Sequence, residues 1–233
     1  MRLQRWAAWS ALAFVAVTIG GVVTESAGPD ITTGPAQVAA KIATDRPDVL
    51  VNSILHTAQG MTVVVLSAAL AALLASARRH LAAYCILGFG LATAAASLLS
   101  AGLSATVASS IHRVTDAQAS YLLYRAAQSA GMVDTVFFAG VVLVVALELT
   151  RIELLPRSMA TTGAVVALLF FAGGLDYLSP DSGPLSGVRA LGGVLTILYL
   201  IIMSVRLLQR SEEAMSITGS PASAGSPPQT TVM

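Results

Sequence analysis

Residues 57–77 read TAQGMTVVVLSAALAALLASA, a stretch of the chain without a single charged side chain. An α-helix rises about 1.5 Å per residue, so about 20 apolar residues cross a bilayer core about 30 Å thick. The stretch ends at Arg78 and Arg79, whose charges belong at a membrane surface. It therefore predicts a transmembrane helix, and we expect an all-α membrane fold.

Five further segments of this kind lie on either side of it. The six predicted spans cover about 6–24, 49–77, 81–111, 128–147, 158–175 and 187–205. The first follows Arg2 and Arg5 and could be read as a secretory signal, but Glu25 stands where cleavage requires a small residue. We therefore predict an uncleaved span. We expect residues 1–210 to form one transmembrane helix bundle and 211–233, which are rich in Ser, Pro, Gly and Thr, to form a disordered cytoplasmic tail.

The composition also belongs to a membrane protein. Hydrophobic residues make up 55% of the 233-residue chain, charged residues 11%, and the mean hydropathy is +0.77. With 13 Lys and Arg against 12 Asp and Glu, the chain has no basic excess for nucleic acid. The single cysteine, Cys85, excludes an intrachain disulfide. The expected partners are the lipid bilayer and either another membrane protein or an apolar small molecule, with no cofactor.

The basic residues predict the orientation, because cytoplasmic flanks carry an excess of Lys and Arg. With the N-terminus inside, the cytoplasmic flanks hold eight: Arg2, Arg5, Arg78, Arg79, Arg151, Arg157, Arg206 and Arg210. The outer side holds five, spread over longer loops: Lys41, Arg46, Arg113, Arg125 and Arg189. Both termini are therefore predicted to be cytoplasmic, in a multi-pass protein of the cell membrane, here a bacterial inner membrane.

The first outer loop contains a pattern typical of a short helix. Pro35 stands where a first helical turn would begin, and Val38, Ala39 and Ile42 follow at helical spacing. We predict a short helix that lies on the outer membrane surface or caps the bundle. It is either an ordered connector or a functional lid.

The third span is unusually rich in Gly, Ala and Ser between Gly88 and Ala105. Small side chains let membrane helices approach closely. We therefore predict that this helix packs at the centre of the bundle.

Ionisable and polar groups in the spans mark the candidate site, because such groups are costly in lipid. Asp134 would lie roughly 9 Å below the outer boundary by the helical rise. Asn52, His56 and Gln59 share one face of the second span. The predicted polar cluster gathers at the outer half of the bundle: Asn52, His56, Gln59, Arg125, Asp134, Asp176 and Arg189. A purely structural role, with Asp134 paired to an arginine or to His56, remains open beside a functional one.

Three functions remain as hypotheses. The first is a non-enzymatic bundle, which is either an accessory subunit or a protein that binds a small molecule or lipid at an outward-facing polar cluster. The second is a proton-coupled transporter that uses Asp134 and His56, and the third is an enzyme acting on a lipid or isoprenoid with Asp134 as general acid. No histidine pair has metal-ligand spacing, and the usual enzyme motifs are absent. We therefore expect no metal site.

Two short motifs carry a resemblance to a family. They are Pro35-Ala36-Gln37-Val38-Ala39-Ala40 leading to Asp45-Arg46, and Leu154-Leu155-Pro156-Arg157 before the fifth span. In arrangement, residues 1–208 resemble a family of uncharacterised six-helix integral membrane proteins common in actinobacteria. That family usually continues the second motif with a tryptophan and a leucine, whereas Ser158-Met159 follows here. The resemblance implies the six-helix fold and no activity.

Overall fold

The computed structural model describes residues 2–25, 33–111, 116–175 and 184–218, and within these ranges it contains helices and no strand. The seven helices of this part of the chain are α1 (Arg2–Glu25), α2 (Pro35–Thr44), α3 (Arg46–Ser76), α4 (His80–Ser110), α5 (Ala117–Arg151), α6 (Arg157–Gly174) and α7 (Pro184–Thr218). All except α2 are long and apolar enough to cross a membrane. The prediction of an all-α bundle with six spans is confirmed.

The ends of the helices extend beyond the apolar segments at several places. α5 begins at Ala117, where the Asp116 side chain caps it by accepting a hydrogen bond from the Gln118 N–H at 2.9 Å. α7 continues to Thr218, so a helix occupies the first part of the segment that we predicted to be a disordered tail. Residues 219–233 lie outside the described residues, and for them the tail stays a prediction.

The spans are joined at one end of the bundle by two tight turns of the same type. α3 and α5 each end in a Schellman motif, in which Arg78 and Glu153 adopt positive φ values of 60° and 59°. The Arg79 N–H then bonds to the Leu74 carbonyl, and the Leu154 N–H bonds to the Leu149 carbonyl, both at 2.9 Å. These motifs reverse the chain within a few residues, so α3 and α4, and α5 and α6, are antiparallel neighbours.

The six spans form a closed ring. Packing contacts join α1 to α3, α3 to α4, α4 to α5, α5 to α6, α6 to α7, and α7 back to α1. The bundle therefore has two ends. We call the end with the two tight turns the turn end, and the end where α1, α4 and α6 finish the α2 end.

The position of α4 differs from the predicted one. It lies in the ring between α3 and α5 rather than at the centre, and Leu81 and Tyr84 are 79% and 70% exposed. Its small residues allow close approach to both neighbours, as where Gly90 packs directly against Ser67 of α3. The prediction of a central helix was wrong because small residues permit tight pairs anywhere in a bundle.

The turn end is filled by apolar side chains and closed by an ion-pair cluster. Leu70, Leu74, Ile86, Val145, Leu149, Met203 and Leu207 belong to the largest buried apolar cluster. At its edge the buried Glu148 carboxylate accepts from Arg79 and from Arg151, each at 2.6 Å. The hydrogen bond to Glu148 raises the pKa of the Arg79 guanidinium further above its ordinary value. The pairs connect the turn after α3 to the end of α5.

α2 packs at the opposite end. Val38 and Ile42 are fully buried against Val107 and Ile111 of the α4 end and Tyr124 of α5. Lys41 and Asp45 form an ion pair on its polar side. The predicted short helix is therefore present, and it packs on the bundle. That it faces the outside of the cell stays a prediction.

Candidate functional site

A cavity of about 490 Å³ opens among the six spans. Every span contributes to its lining, and the contributing residues extend from the middle of the bundle, at Thr93 and Phe138, toward the α2 end. Volumes of about 300–1,000 Å³ are typical of small-molecule pockets. The cavity is thus large enough for an organic ligand, whereas the turn-end half is filled by the apolar cluster described above.

Most of the predicted polar cluster lines this cavity. Asn52, His56 and Gln59 reach it from α3, Asp134 from α5 and Arg189 from α7. His56 and Arg189, about 130 positions apart in the sequence, thereby line the same cavity. The ring of helices places the first half of α7 opposite the first halves of α3 and α5.

Two members of the predicted cluster are not part of this arrangement. Arg125 is exposed and does not line the cavity, about one helical turn beyond Gln128, which does. A long arginine near a helix end can carry its charge out of the bundle, and Arg125 therefore stays apart from the residues that line the cavity. Asp176 lies outside the described residues.

Asp134 is buried, with 6% of its surface exposed, and its carboxylate accepts hydrogen bonds from two hydroxyl groups. Ser97 Oγ of α4 donates to Oδ2 at 2.7 Å, and Thr135 Oγ1 donates to Oδ1 at 3.2 Å. Asp134 therefore faces the interior of the bundle. A lipid-facing Asp134 would have excluded both the proton-coupled transporter and the enzyme, because each hypothesis uses this carboxyl group.

Arg189 is held in place through its backbone. Gly173 of α6 packs so closely on it that an added Cβ would collide with the Arg189 backbone. One turn later, a Cβ on Gly192 would lie 3.0 Å from the backbone of Phe170. The guanidinium Nη1 lies 2.8 Å from the Met132 sulfur, and a thioether is only a weak hydrogen-bond acceptor. The close α6–α7 contact thus positions a guanidinium at the cavity.

The apolar part of the cavity is aromatic. The rings of Phe14 and Phe138 are stacked with centroids 4.6 Å apart, and Phe170 meets Phe138 edge to face at 6.4 Å. All three residues line the cavity, and we call them the aromatic cluster. Such geometry is favourable for aromatic rings and would extend to a planar or apolar ligand.

Several serine and threonine residues that line the cavity were not part of the predicted polar cluster. They are Thr18, Thr93, Ser100, Ser104, Thr135 and Thr196. Thr93, Ser97, Ser100 and Ser104 follow one another at helical spacing along α4, a signal that could have identified a polar face. Thr196 is 3% exposed, and its Oγ1 has no hydrogen-bond partner among the described residues.

Neither a metal-ligand cluster nor a similarity to known proteins identifies a ligand for the cavity. Within the described parts of the chain, no three His, Cys, Asp or Glu side chains are grouped so that they could hold a metal ion. No protein-family profile, curated protein or solved structure matches the chain.

Proposed function

We propose that this six-span protein binds a small amphipathic molecule in the cavity between its spans and acts without catalysing a reaction. The observation that carries the proposal is the cavity itself, which all six spans line. Its lining combines polar groups of α3, α5 and α7 with the aromatic cluster. A pocket with an apolar lining and a few converging polar groups is the usual form of a ligand site.

The proposal includes the direction from which the ligand enters. The lining residues extend from the middle of the bundle toward the α2 end, and the turn end is closed by packed apolar side chains. The excess of arginines flanking the turn end supports a cytoplasmic location for that end. The cavity would then be reached from the outer side of the cell membrane.

Filling the cavity tests the proposal. Gly193 lines it, and a Cβ there would have only the Phe170 ring at 3.9 Å, so Gly193→Leu adds volume without a backbone clash. We expect the neutral fluorescent dye N-phenyl-1-naphthylamine to bind the protein in lipid nanodiscs. Gly193→Leu should weaken this binding at least about ten-fold, because the new side chain occupies the space of the ligand.

The matched control is Gly187→Leu, on the same helix at an exposed position with open space around it. This variant should bind the dye as the wild type does, and empty nanodiscs give the contribution of the lipid. Equal dye binding by the wild type and Gly193→Leu would show that the cavity is not the binding site.

Proton-coupled transport is the second candidate, and one observation favours it. His56 and Asp134, the two titratable groups proposed for a relay, line the same cavity. Titratable groups in a membrane cavity are the usual elements of proton relays. This function requires that the protein in proteoliposomes move protons together with a solute, and solute binding without proton movement excludes it.

A further inference from the structure

We propose that the cavity binds a neutral aromatic carbonyl compound. Its ring packs on the aromatic cluster, and its carbonyl oxygen accepts hydrogen bonds from Thr18 and Thr196. This inference rests on the proposed function and specifies its ligand class. Its basis is that both threonines line the cavity with buried hydroxyl groups that have no hydrogen-bond partner among the described residues.

The Thr196 hydroxyl carries most of the inference. Thr196 is 3% exposed, lines the cavity from α7, and bonds to no other group in the described part of the chain. A hydroxyl group in a membrane helix ordinarily donates to a carbonyl one turn earlier, as Ser204 of the same helix does to Leu200 at 2.7 Å. A buried hydroxyl without a partner costs free energy, and an acceptor on a ligand in the cavity removes that cost.

Thr18 presents a second hydroxyl group from α1 at a similar depth. Its buried Oγ1 is likewise without a partner among the described residues, and it lines the same cavity. α1 and α7 are antiparallel neighbours, and Arg5 Nε donates to Ser211 Oγ at 3.4 Å near the turn end. Thr18 lies 13 residues after Arg5, and Thr196 lies 15 residues before Ser211. At about 1.5 Å per residue, the two threonines are therefore within about one helical turn of the same level.

The aromatic cluster borders both threonines. Phe14 precedes Thr18 by four residues, so the two share one face of α1. On α7, Gly193 precedes Thr196 by three residues, and a Cβ on Gly193 would lie 3.9 Å from the Phe170 ring. An aromatic ring that packs on the cluster can therefore direct a carbonyl substituent toward both threonines.

The groups that line the cavity favour a neutral carbonyl compound over other ligands. A carbonyl oxygen accepts two hydrogen bonds and brings no donor that would need an acceptor of its own. The described lining holds one carboxylate and one guanidinium, and both Asp134 and Arg189 already have partners in the protein. A charged ligand would have to displace those partners, whereas a neutral one leaves them in place.

Two compounds of nearly equal shape test the inference. They are 2-acetylnaphthalene and 2-isopropenylnaphthalene, in which a methylene group replaces the carbonyl oxygen. Equilibrium dialysis against the protein in nanodiscs measures their binding, and empty nanodiscs give their partition into lipid. Thr196→Val keeps the shape of the side chain and removes the hydroxyl. We expect it to weaken binding of the ketone about two- to ten-fold, the range for a neutral hydrogen bond, and to leave binding of the alkene unchanged. Thr18→Val should have the same effect.

Thr106→Val is the matched control, because Thr106 is exposed on α4 and its hydroxyl donates to the Gly102 carbonyl of its own helix. It should leave the binding of both compounds unchanged. The stability of the ligand-free protein is a second readout. Thr196→Val removes an unpaired hydroxyl and should not lower resistance to unfolding by sodium dodecyl sulfate. A lower resistance would show that this hydroxyl bonds within the protein, and it would overturn the inference.

The outcomes separate this inference from the proposed function. If Thr196→Val weakens both compounds equally, or neither of them, the carbonyl inference is overturned. The cavity remains a ligand site in that case as long as Gly193→Leu weakens binding of the dye. Failure of both compounds to bind where the dye does bind has the same meaning. Failure of the dye as well would contradict the proposed function.

Discussion

Asp134 is buried inside a membrane helix because neighbouring hydroxyl groups hydrogen-bond its carboxylate. A carboxyl group in lipid costs free energy unless its oxygens have donors. Ser97 provides one of these donors from a different helix, at 2.7 Å, so this bond also joins α4 to α5. Ser97 is itself fully buried.

Ser97→Ala should therefore destabilise the protein. We expect a loss of about 1–2 kcal/mol in the free energy of unfolding, because a buried acceptor loses a donor, while membrane hydrogen bonds are weaker than the desolvation cost alone suggests. Unfolding by sodium dodecyl sulfate in mixed micelles measures it. Ser109→Ala, an exposed serine of α4 whose hydroxyl bonds only to its own helix, is the control. A loss no larger than that of the control would contradict the structural role of this bond.

Much of the polar cluster could be predicted at this scale, since Asp, His, Asn and Arg are rare in lipid and each is conspicuous in an apolar segment. The serine and threonine partners could not be predicted in the same way. Their hydroxyl groups can bond to a carbonyl of their own helix, as Thr93 does to Phe89 at 2.8 Å. A hydroxyl in a span therefore does not indicate a cavity by itself.

The packing of α6 on α7 determines where Arg189 stands. Gly173 and Gly192 bring the two backbones into close contact at neighbouring positions. Without side chains at these two positions the helices approach closely, which is a principal source of helix association in lipid. The position of the Arg189 guanidinium at the cavity thus depends on the packing of α6 against α7 as well as on the conformation of its side chain.

Gly173→Ala should separate these helices. The added methyl group would collide with the Arg189 backbone, which cannot move without displacing α7, and overpacking of this kind costs about 1–3 kcal/mol. Gly187→Ala, with open space around it, should instead be neutral or stabilising by up to about 1 kcal/mol, because alanine favours a helix over glycine. The two variants are compared by their free energies of unfolding. The same sign for both would show that the α6–α7 contact is not tight.

The elements were predicted well because length and apolarity alone identify a transmembrane helix. Their arrangement was less predictable. The small residues of α4 suggested a central position, but Gly90 serves a pairwise contact with α3. The ends of α5 and α7 were also missed, because polar residues such as Gln118 and Glu212 continue a helix beyond the apolar segment.

The whole molecule is divided into a packed half and a half with a cavity. Leu74, Leu149 and Leu207 are fully buried toward the turn end, whereas His56, Asp134 and Arg189 line the cavity toward the other end. A polar half and an apolar half could be predicted from the sequence, because the predicted polar cluster gathers in the same half of the bundle. The cavity could not be predicted in this way, since it depends on how six helices close into a ring.

The access of water-soluble reagents to this cavity from one side of the membrane tests the account most directly. The measurement is the labelling of Gly193→Cys by a membrane-impermeant maleimide, in intact cells and in inverted membrane vesicles, with Cys85→Ala removing the single native cysteine. We predict labelling from the outside only, at a residue well within a membrane-spanning helix, and a reduced rate in the presence of N-phenyl-1-naphthylamine. Labelling only from the cytoplasmic side, or from neither side, would contradict an outward-facing ligand cavity.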